Sequence, residues 1–249
     1  NKKFLVYNLV TRNLKVKYRR SFFGLFWTVL APLSTAHVYY IVFKLVMKVQ
    51  KPDYMILVLS GVMAWNYFSQ TINEGVTHYI EMQSLISKIY LPLQVFNFTT
   101  SSTNLVTLIF TVPIVAIITL LHGKSLGPSI LLLPLFLGCL FLMAYAGSII
   151  VAVSFVFFRD LRQLVAIIFQ FLFYGTPILY TVDMVPEQFR WVLDLNPVGN
   201  LIPAIQNCFT NNRAWTPELI LLPIVWAVIF TVVAFFTLKL SRRAVVETL

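Results

Sequence analysis

Along the chain, apolar positions collect into long runs broken by short polar connectors, and six runs reach the length a bilayer requires. They lie near residues 22–46, 55–73, 96–121, 129–157, 163–181 and 219–238. A hydrocarbon core of about 30 Å takes roughly 20 apolar residues as helix, so each run predicts a membrane-spanning helix. The expected fold is therefore all-α, a single polytopic transmembrane domain over residues 1–249 with six spans. The fifth run, LVAIIFQFLFYGTPILY, is short and carries Gln170, Gly175 and Pro177, which predicts a bend or partial unwinding near its outer end.

Three connectors are patterned rather than plain. In residues 3–20, Tyr7, Val10, Leu14 and Tyr18 recur on one helical side while Asn8, Arg12, Lys15 and Arg19 take the other. Such a segment is expected to lie in the headgroup plane as an amphipathic interface helix, over residues 1–21. In EMQSLISKIYLP, residues 81–92, the positions Met82, Leu85, Ile86 and Ile89 keep helical spacing and Pro92 ends it. This helix either rests at the interface or docks a cytoplasmic partner, and spacing alone does not choose. Between Asp183 and Pro217, apolar residues interrupted by Pro186, Pro197 and Pro203 predict two short helices that re-enter or lie on the outer surface. A connector of about 35 residues with that much apolar surface is usually functional.

Charge orients the chain. With a cytoplasmic N-terminus, thirteen of the 19 Lys and Arg residues fall inside and six outside, which places both termini in the cytoplasm by the positive-inside rule. The 249 residues are 59% hydrophobic and only 11% charged, too little polar surface for a soluble domain of this length. A net charge of +10 raises the question of nucleic acid, but the cations sit in short clusters between apolar runs instead of along one polar face. Anionic lipid headgroups account for that distribution better. Residues 1–21 are too polar and basic to supply the apolar segment of a cleavable signal.

Catalytic chemistry finds little support. All nine acidic residues lie at span ends or in connectors, which argues against a proton- or sodium-coupled carrier. His37, His78 and His122 are scattered without metal-ligand spacing, and His37 is expected as a packed, hydrogen-bonded side chain. Gly123, Lys124 and Ser125 imitate the end of a phosphate-binding loop, but Ile118 stands where its first glycine would be. Cys139 falls in an apolar run and Cys208 in a connector, so no disulfide is expected. Thr103, Thr107 and Thr111 share one face of the third span, where hydrogen-bonded helix packing is the simpler reading. Gln163, Gln170, Tyr174 and Pro177 share a face of the fifth. The numerous aromatics, among them Tyr39, Tyr40 and Phe43 in the first span and Phe169, Phe173 and Tyr174 in the fifth, suit an interfacial belt. They also suit a path along which sugar rings slide over aromatic faces.

Arg12, Lys17, Tyr18, Ser21, Gly24, Trp27 and Pro32, in that order, resemble the entrance of permease subunits of polysaccharide-exporting ABC transporters, the O-antigen and teichoic-acid exporters. FFRD at 157–160, TPILY at 176–180, PEQF at 186–189 and LNP at 195–197 are similar to later landmarks of that family, and the resemblance covers essentially the whole chain. Phe23, where such entrances commonly have Leu, departs from the pattern.

The resemblance implies a homodimer in the bacterial inner membrane, working with two copies of a cytoplasmic ABC ATPase that holds the ATP and Mg. This chain itself would bind no cofactor or metal and have no catalytic residues. Residues 81–91 become the coupling helix that meets the ATPase, with Glu81, Met82, Gln83, Ser84, Leu85, Ile86 and Lys88 as contacts. Lys15, Lys17, Arg19 and Arg20 become the entrance for the pyrophosphate of an undecaprenyl-linked polysaccharide, since cations suit an anion. Tyr39, Phe43, Gln170, Phe173 and Tyr174 become channel-lining residues. Pro186, Phe189, Trp191, Pro197 and Pro203 become an outer gate within residues 186–209. The alternatives are a membrane enzyme acting on polyprenyl-linked glycans, which would need Arg159, Asp160 and Arg162 as its polar cluster, and a drug-type efflux permease.

Overall fold

The computed structural model describes residues 2–18, 26–42, 53–83 and 92–248. Among these residues the fold is entirely helical, without strands. In chain order the helices are α1 (Lys2–Tyr18), α2 (Trp27–Ile41), α3 (Tyr54–Glu81), α4 (Gln94–Leu121), α5 (Leu133–Phe157), α6 (Leu161–Gly175), α7 (Trp191–Leu195), α8 (Leu201–Thr210) and α9 (Pro217–Thr248). Short 3₁₀ turns at Pro128–Leu132, Val182–Met184 and Glu187–Phe189 join them.

Among the described residues three segments are long and apolar enough to cross a membrane: Gln94–Leu121, Pro128–Phe157 and Pro217–Val245. At 1.5 Å per residue, the 28 residues of α4 extend about 42 Å, more than a hydrocarbon core. Their outward faces stay apolar and exposed: Ile109, Phe110 and Ile117 on α4, and Val228, Val232, Phe235 and Phe236 on α9. Exposed apolar surface on this scale fits lipid rather than water.

The remaining predicted spans look different. α2 and α6 are helical over 15 residues each, and the flanks of α2 lie outside the described residues. α6 stops at Gly175, and the TPILY stretch leaves the helix with Thr176 Oγ1 donating to the carbonyl of Leu172. That is the outer-end unwinding Gly175 and Pro177 suggest. α3 continues about two turns beyond residue 73 because α4 satisfies its polar C-terminal half. Asn104 Nδ2 donates to Glu74 Oε2 at 2.8 Å and Thr71 Oγ1 at 3.2 Å, and Thr100 Oγ1 lies 3.1 Å from His78 Nδ1. Glu74, placed at a span end from sequence, thus sits inside a packed helix.

α3 is the central element. It packs against α2, α4, α5, α6 and α8, with Tyr54, Ile56, Leu59, Ala64 and Phe68 buried. Its approach to α5 is close because Gly75 faces Ser148 and Gly147 faces Ile72. Small residues at a helix contact let the backbones come together and multiply dispersion contacts where lipid offers no hydrophobic drive. α9 covers the other side of α5.

α8 is buried along its entire length, Cys208 included, so of the two placements open to this short helix, inserted or on the surface, it takes the buried one. Gln206 Nε2 donates to the carbonyls of Leu57 and Ile178 at 3.2 and 3.3 Å and fixes α8 against α3. Asn211, at φ 49° in the left-handed region, ends α8 and accepts from Ser129 Oγ at 2.6 Å; Ser129 accepts in turn from Trp215 Nε1. The starts of α5 and α9 and the end of α8 are tied by that chain. Gly123, at φ 74°, caps α4: the amide of Lys124 reaches back to the carbonyl of Thr119. The phosphate-loop imitation is therefore a helix C-terminus.

Candidate functional site

α2, α3 and α6 converge around an open cavity of about 390 Å³. Its aromatic side comes from all three helices. Trp65 of α3 lies 5.7 Å from Phe169 and 5.6 Å from Phe173 between ring centroids, Tyr39 of α2 lies 5.8 Å from Phe173, and Phe173 meets Tyr174 edge-on at 5.2 Å. Trp65 is buried and anchors the cluster, whereas Tyr174 is 64% exposed at its edge. Offset and edge-on pairs of this kind hold rings more firmly than area burial alone.

The polar side comes chiefly from α3. Asn66, Ser69 and Asn73 follow one another at i, i+3 and i+7 and line the cavity, joined by Thr35 of α2 and Gln170 of α6. Asn73 Nδ2 donates to the carbonyl of Ser69 at 2.8 Å, which keeps its amide on this face. Gln70, Glu74, Thr77 and Glu81 continue the polar stripe, with Gln70 Nε2 donating to Glu74 Oε1 and Thr77 Oγ1 to Glu81 Oε1. A stripe of amides and hydroxyls within such an apolar chain calls for water, a polar substrate or another protein surface. Among the described residues lining the cavity there is no Lys, Arg, Asp, Glu or His.

The structure brings together four of the five residues expected along a path: Tyr39, Gln170, Phe173 and Tyr174. Phe43 lies outside the described residues. Sequence reasoning missed the α3 contribution, Trp65, Asn66, Ser69 and Asn73. The available signal was polar residues at helical spacing inside the second apolar run.

The other expected sites are scattered. Lys15 is exposed on α1 and Lys17 belongs to the same helix, while Arg19 and Arg20 lie outside the described residues. Glu81 ends α3, exposed, followed by Met82 and Gln83; Ser84, Leu85, Ile86 and Lys88 lie outside the described residues. Pro186, Phe189 and Trp191 are exposed on the outer segment, Pro197 is half-buried, and Pro203 is buried within α8. The named gate residues therefore divide between an exposed surface segment and an inserted helix.

His37 is exposed, with Tyr40 at 6.4 Å, instead of packed as the sequence suggests. Thr103, Thr107 and Thr111 each donate back to a carbonyl four residues earlier in their own helix, instead of bonding across to a neighbouring one. A smaller cavity of about 90 Å³ is bordered by Asp53, Gln206 and Arg213. Asp53 is buried there and held by Lys124 Nζ at 2.9 Å and Asn212 Nδ2 at 2.6 Å.

A helical bundle with lipid-compatible helices on its flanks and an open aromatic and amide cavity beside them has the anatomy of a membrane transport subunit. The chain belongs to the ABC-2 type transporter family, whose profile matches residues 5–209. It is similar to two proteins of Klebsiella pneumoniae named O-antigen export system permease protein RfbA, each 31% identical over 204 residues, or 82% of this chain and 79% of the relative. A Myxococcus xanthus protein of the same name is 28% identical over 211 residues, covering 84% of this chain and 81% of its own.

Proposed function

We propose that this chain is the channel-forming permease subunit of an ATP-driven exporter that moves an undecaprenyl-pyrophosphate-linked polysaccharide of O-antigen type out of the cytoplasm. The observation that carries this reading is the cavity between α2, α3 and α6. Aromatic faces stack on sugar rings without gripping them, and side-chain amides exchange hydrogen bonds with successive hydroxyls. A path built this way lets a long glycan move. The names of the relatives point to the same cargo.

In this reading the protein spans the bacterial inner membrane six times with both termini in the cytoplasm. Two copies assemble around the path, and two ABC ATPase subunits supply hydrolysis of ATP with Mg. Glu81 to Lys88 meet the ATPase, Lys15 to Arg20 receive the lipid pyrophosphate, and the segment from Pro186 to Phe209 closes the far side. The Asn66, Ser69 and Asn73 stripe then needs no lipid contact, because it faces the path.

Deletion of the permease in a cell that makes the polymer tests the proposal. Finished lipid-linked polysaccharide should accumulate inside and vanish from the surface, and the tagged permease should copurify an ABC ATPase. Polymer reaching the surface at the wild-type level without the permease would refute it.

A further inference from the structure

Among the described residues the cavity lining carries no charged side chain, in a chain whose formal net charge is +10. The described lining offers aromatic faces, amides and hydroxyls. This composition discriminates among polymers. A uronate or phosphate carried into such a cavity loses part of its hydration and meets no cation among the described lining residues in return, which is costly. An uncharged sugar loses hydration at its hydroxyls and regains hydrogen bonds from the amides, while its apolar ring face covers an aromatic ring. The volume, about 390 Å³, falls in the range of pockets that hold a small ligand, roughly 300 to 1,000 Å³, and suits a short stretch of sugar chain.

We infer that this cavity is a subsite for uncharged sugar residues, and that Asn66, Ser69 and Asn73 of α3, with Gln170 of α6, select a neutral glycan over a polyanionic one. The inference rests on the transport reading and narrows its cargo: a polymer with a phosphate or uronate in every repeat is a poor fit. Each residue has a separate task. Tyr174, exposed at the edge, supplies the platform on which a ring lands, and Trp65 fixes the aromatic cluster behind it. The hydrogen bond from Asn73 to Ser69 sets the spacing of the polar side.

Saturation-transfer NMR on the permease–ATPase complex in nanodiscs tests this with two probes of equal length, maltohexaose and hexagalacturonate. Maltohexaose should receive saturation from the protein's aromatic protons, and hexagalacturonate about tenfold less. Tyr174→Ala should remove most of the maltohexaose signal, which separates this cavity from any sugar site on the ATPase. Asn73→Lys, at an exposed position that tolerates size, should shift the ratio toward hexagalacturonate. Equal saturation of both probes by the wild-type complex overturns the inference, and so does saturation of neither, or a maltohexaose signal that survives Tyr174→Ala. The deletion experiment fails or succeeds independently of these outcomes, so loss of the selectivity claim leaves the transport claim standing on its own test.

Discussion

α3 and α5 lie close together, and Gly75 and Gly147 measure that approach, with Gly138 on an open face of α5 as the control. A Cβ added at Gly75 would lie 2.7 Å from Ser148 Cβ and 3.0 Å from both Ser148 Cα and its carbonyl oxygen. Carbon atoms prefer separations of about 3.5 to 4.0 Å, so α3 and α5 would have to part by roughly 1 Å. Overpacking of this kind costs about 1–3 kcal/mol, and replacing a helical glycine by alanine returns up to about 1 kcal/mol of helix propensity. Gly75→Ala should therefore destabilise by about 1–2 kcal/mol. It should also lengthen the 3.2 Å hydrogen bond from Asn97 Nδ2 to Ser148 Oγ.

At Gly147 the same Cβ would meet Ile72 Cδ1 at 2.7 Å, the tip of a side chain that can turn away, so Gly147→Ala should stay within about 1 kcal/mol of wild type. At Gly138 nothing lies within 4 Å, and Gly138→Ala should stabilise by up to about 1 kcal/mol. Reversible unfolding in mixed detergent–SDS micelles, followed by circular dichroism, gives the order. The expected sequence is Gly138→Ala most stable, then Gly147→Ala, then Gly75→Ala, with a spread of about 2–3 kcal/mol between the extremes. A Gly75→Ala protein as stable as Gly138→Ala would refute the claim that backbone contact with Ser148 limits the α3–α5 distance.

Two further outcomes follow from buried groups. Burial lowers the His78 imidazole below its ordinary value, opposed by Glu81 and Glu74, so the fold favours the neutral ring. Its contribution to stability is then full above the unfolded value of about 6.5 and is lost as pH falls from there through the lower folded value; His78→Gln should flatten the detergent stability profile across that window, and an unchanged profile would remove His78 from the account. Burial pushes the Cys208 thiol up to about 12, so at pH 7.5 a maleimide should leave it unlabelled in the folded protein and label it after unfolding. Labelling of Cys208 at the rate of a free thiol would show that α8 opens readily.

The apolar runs made the all-helical class legible because in a bilayer each backbone amide needs a partner within its own segment, and only run length matters for that. Pairing between helices was less legible. Glu74 read as an acid at a span end because the sequence does not show Asn104 of α4 reaching across to it on the continued α3. α8 was legible as a short helix but not its placement, inserted or on the surface, because its burial depends on a gap between α3, α5 and α9 that exists only once they pack. Tyr39, Gln170, Phe173 and Tyr174 were reachable as aromatic and polar positions on two helices, but Trp65, Asn66, Ser69 and Asn73 were not singled out. A search for charged residues inside spans passes over amides, whose meaning lies in what they face.

By itself the sequence determined that this chain is helical, rich in membrane-length apolar stretches and short of catalytic groups, since those properties are sums over residues and their spacing. The tertiary structure decided which polar groups are satisfied internally, as at Asn104 and Gln206, and which remain to line an open space, as at Asn66, Asn73 and Gln170. That distinction is set by which helix faces pack together and which are left open, and no pattern along a single helix encodes the face its neighbour leaves uncovered.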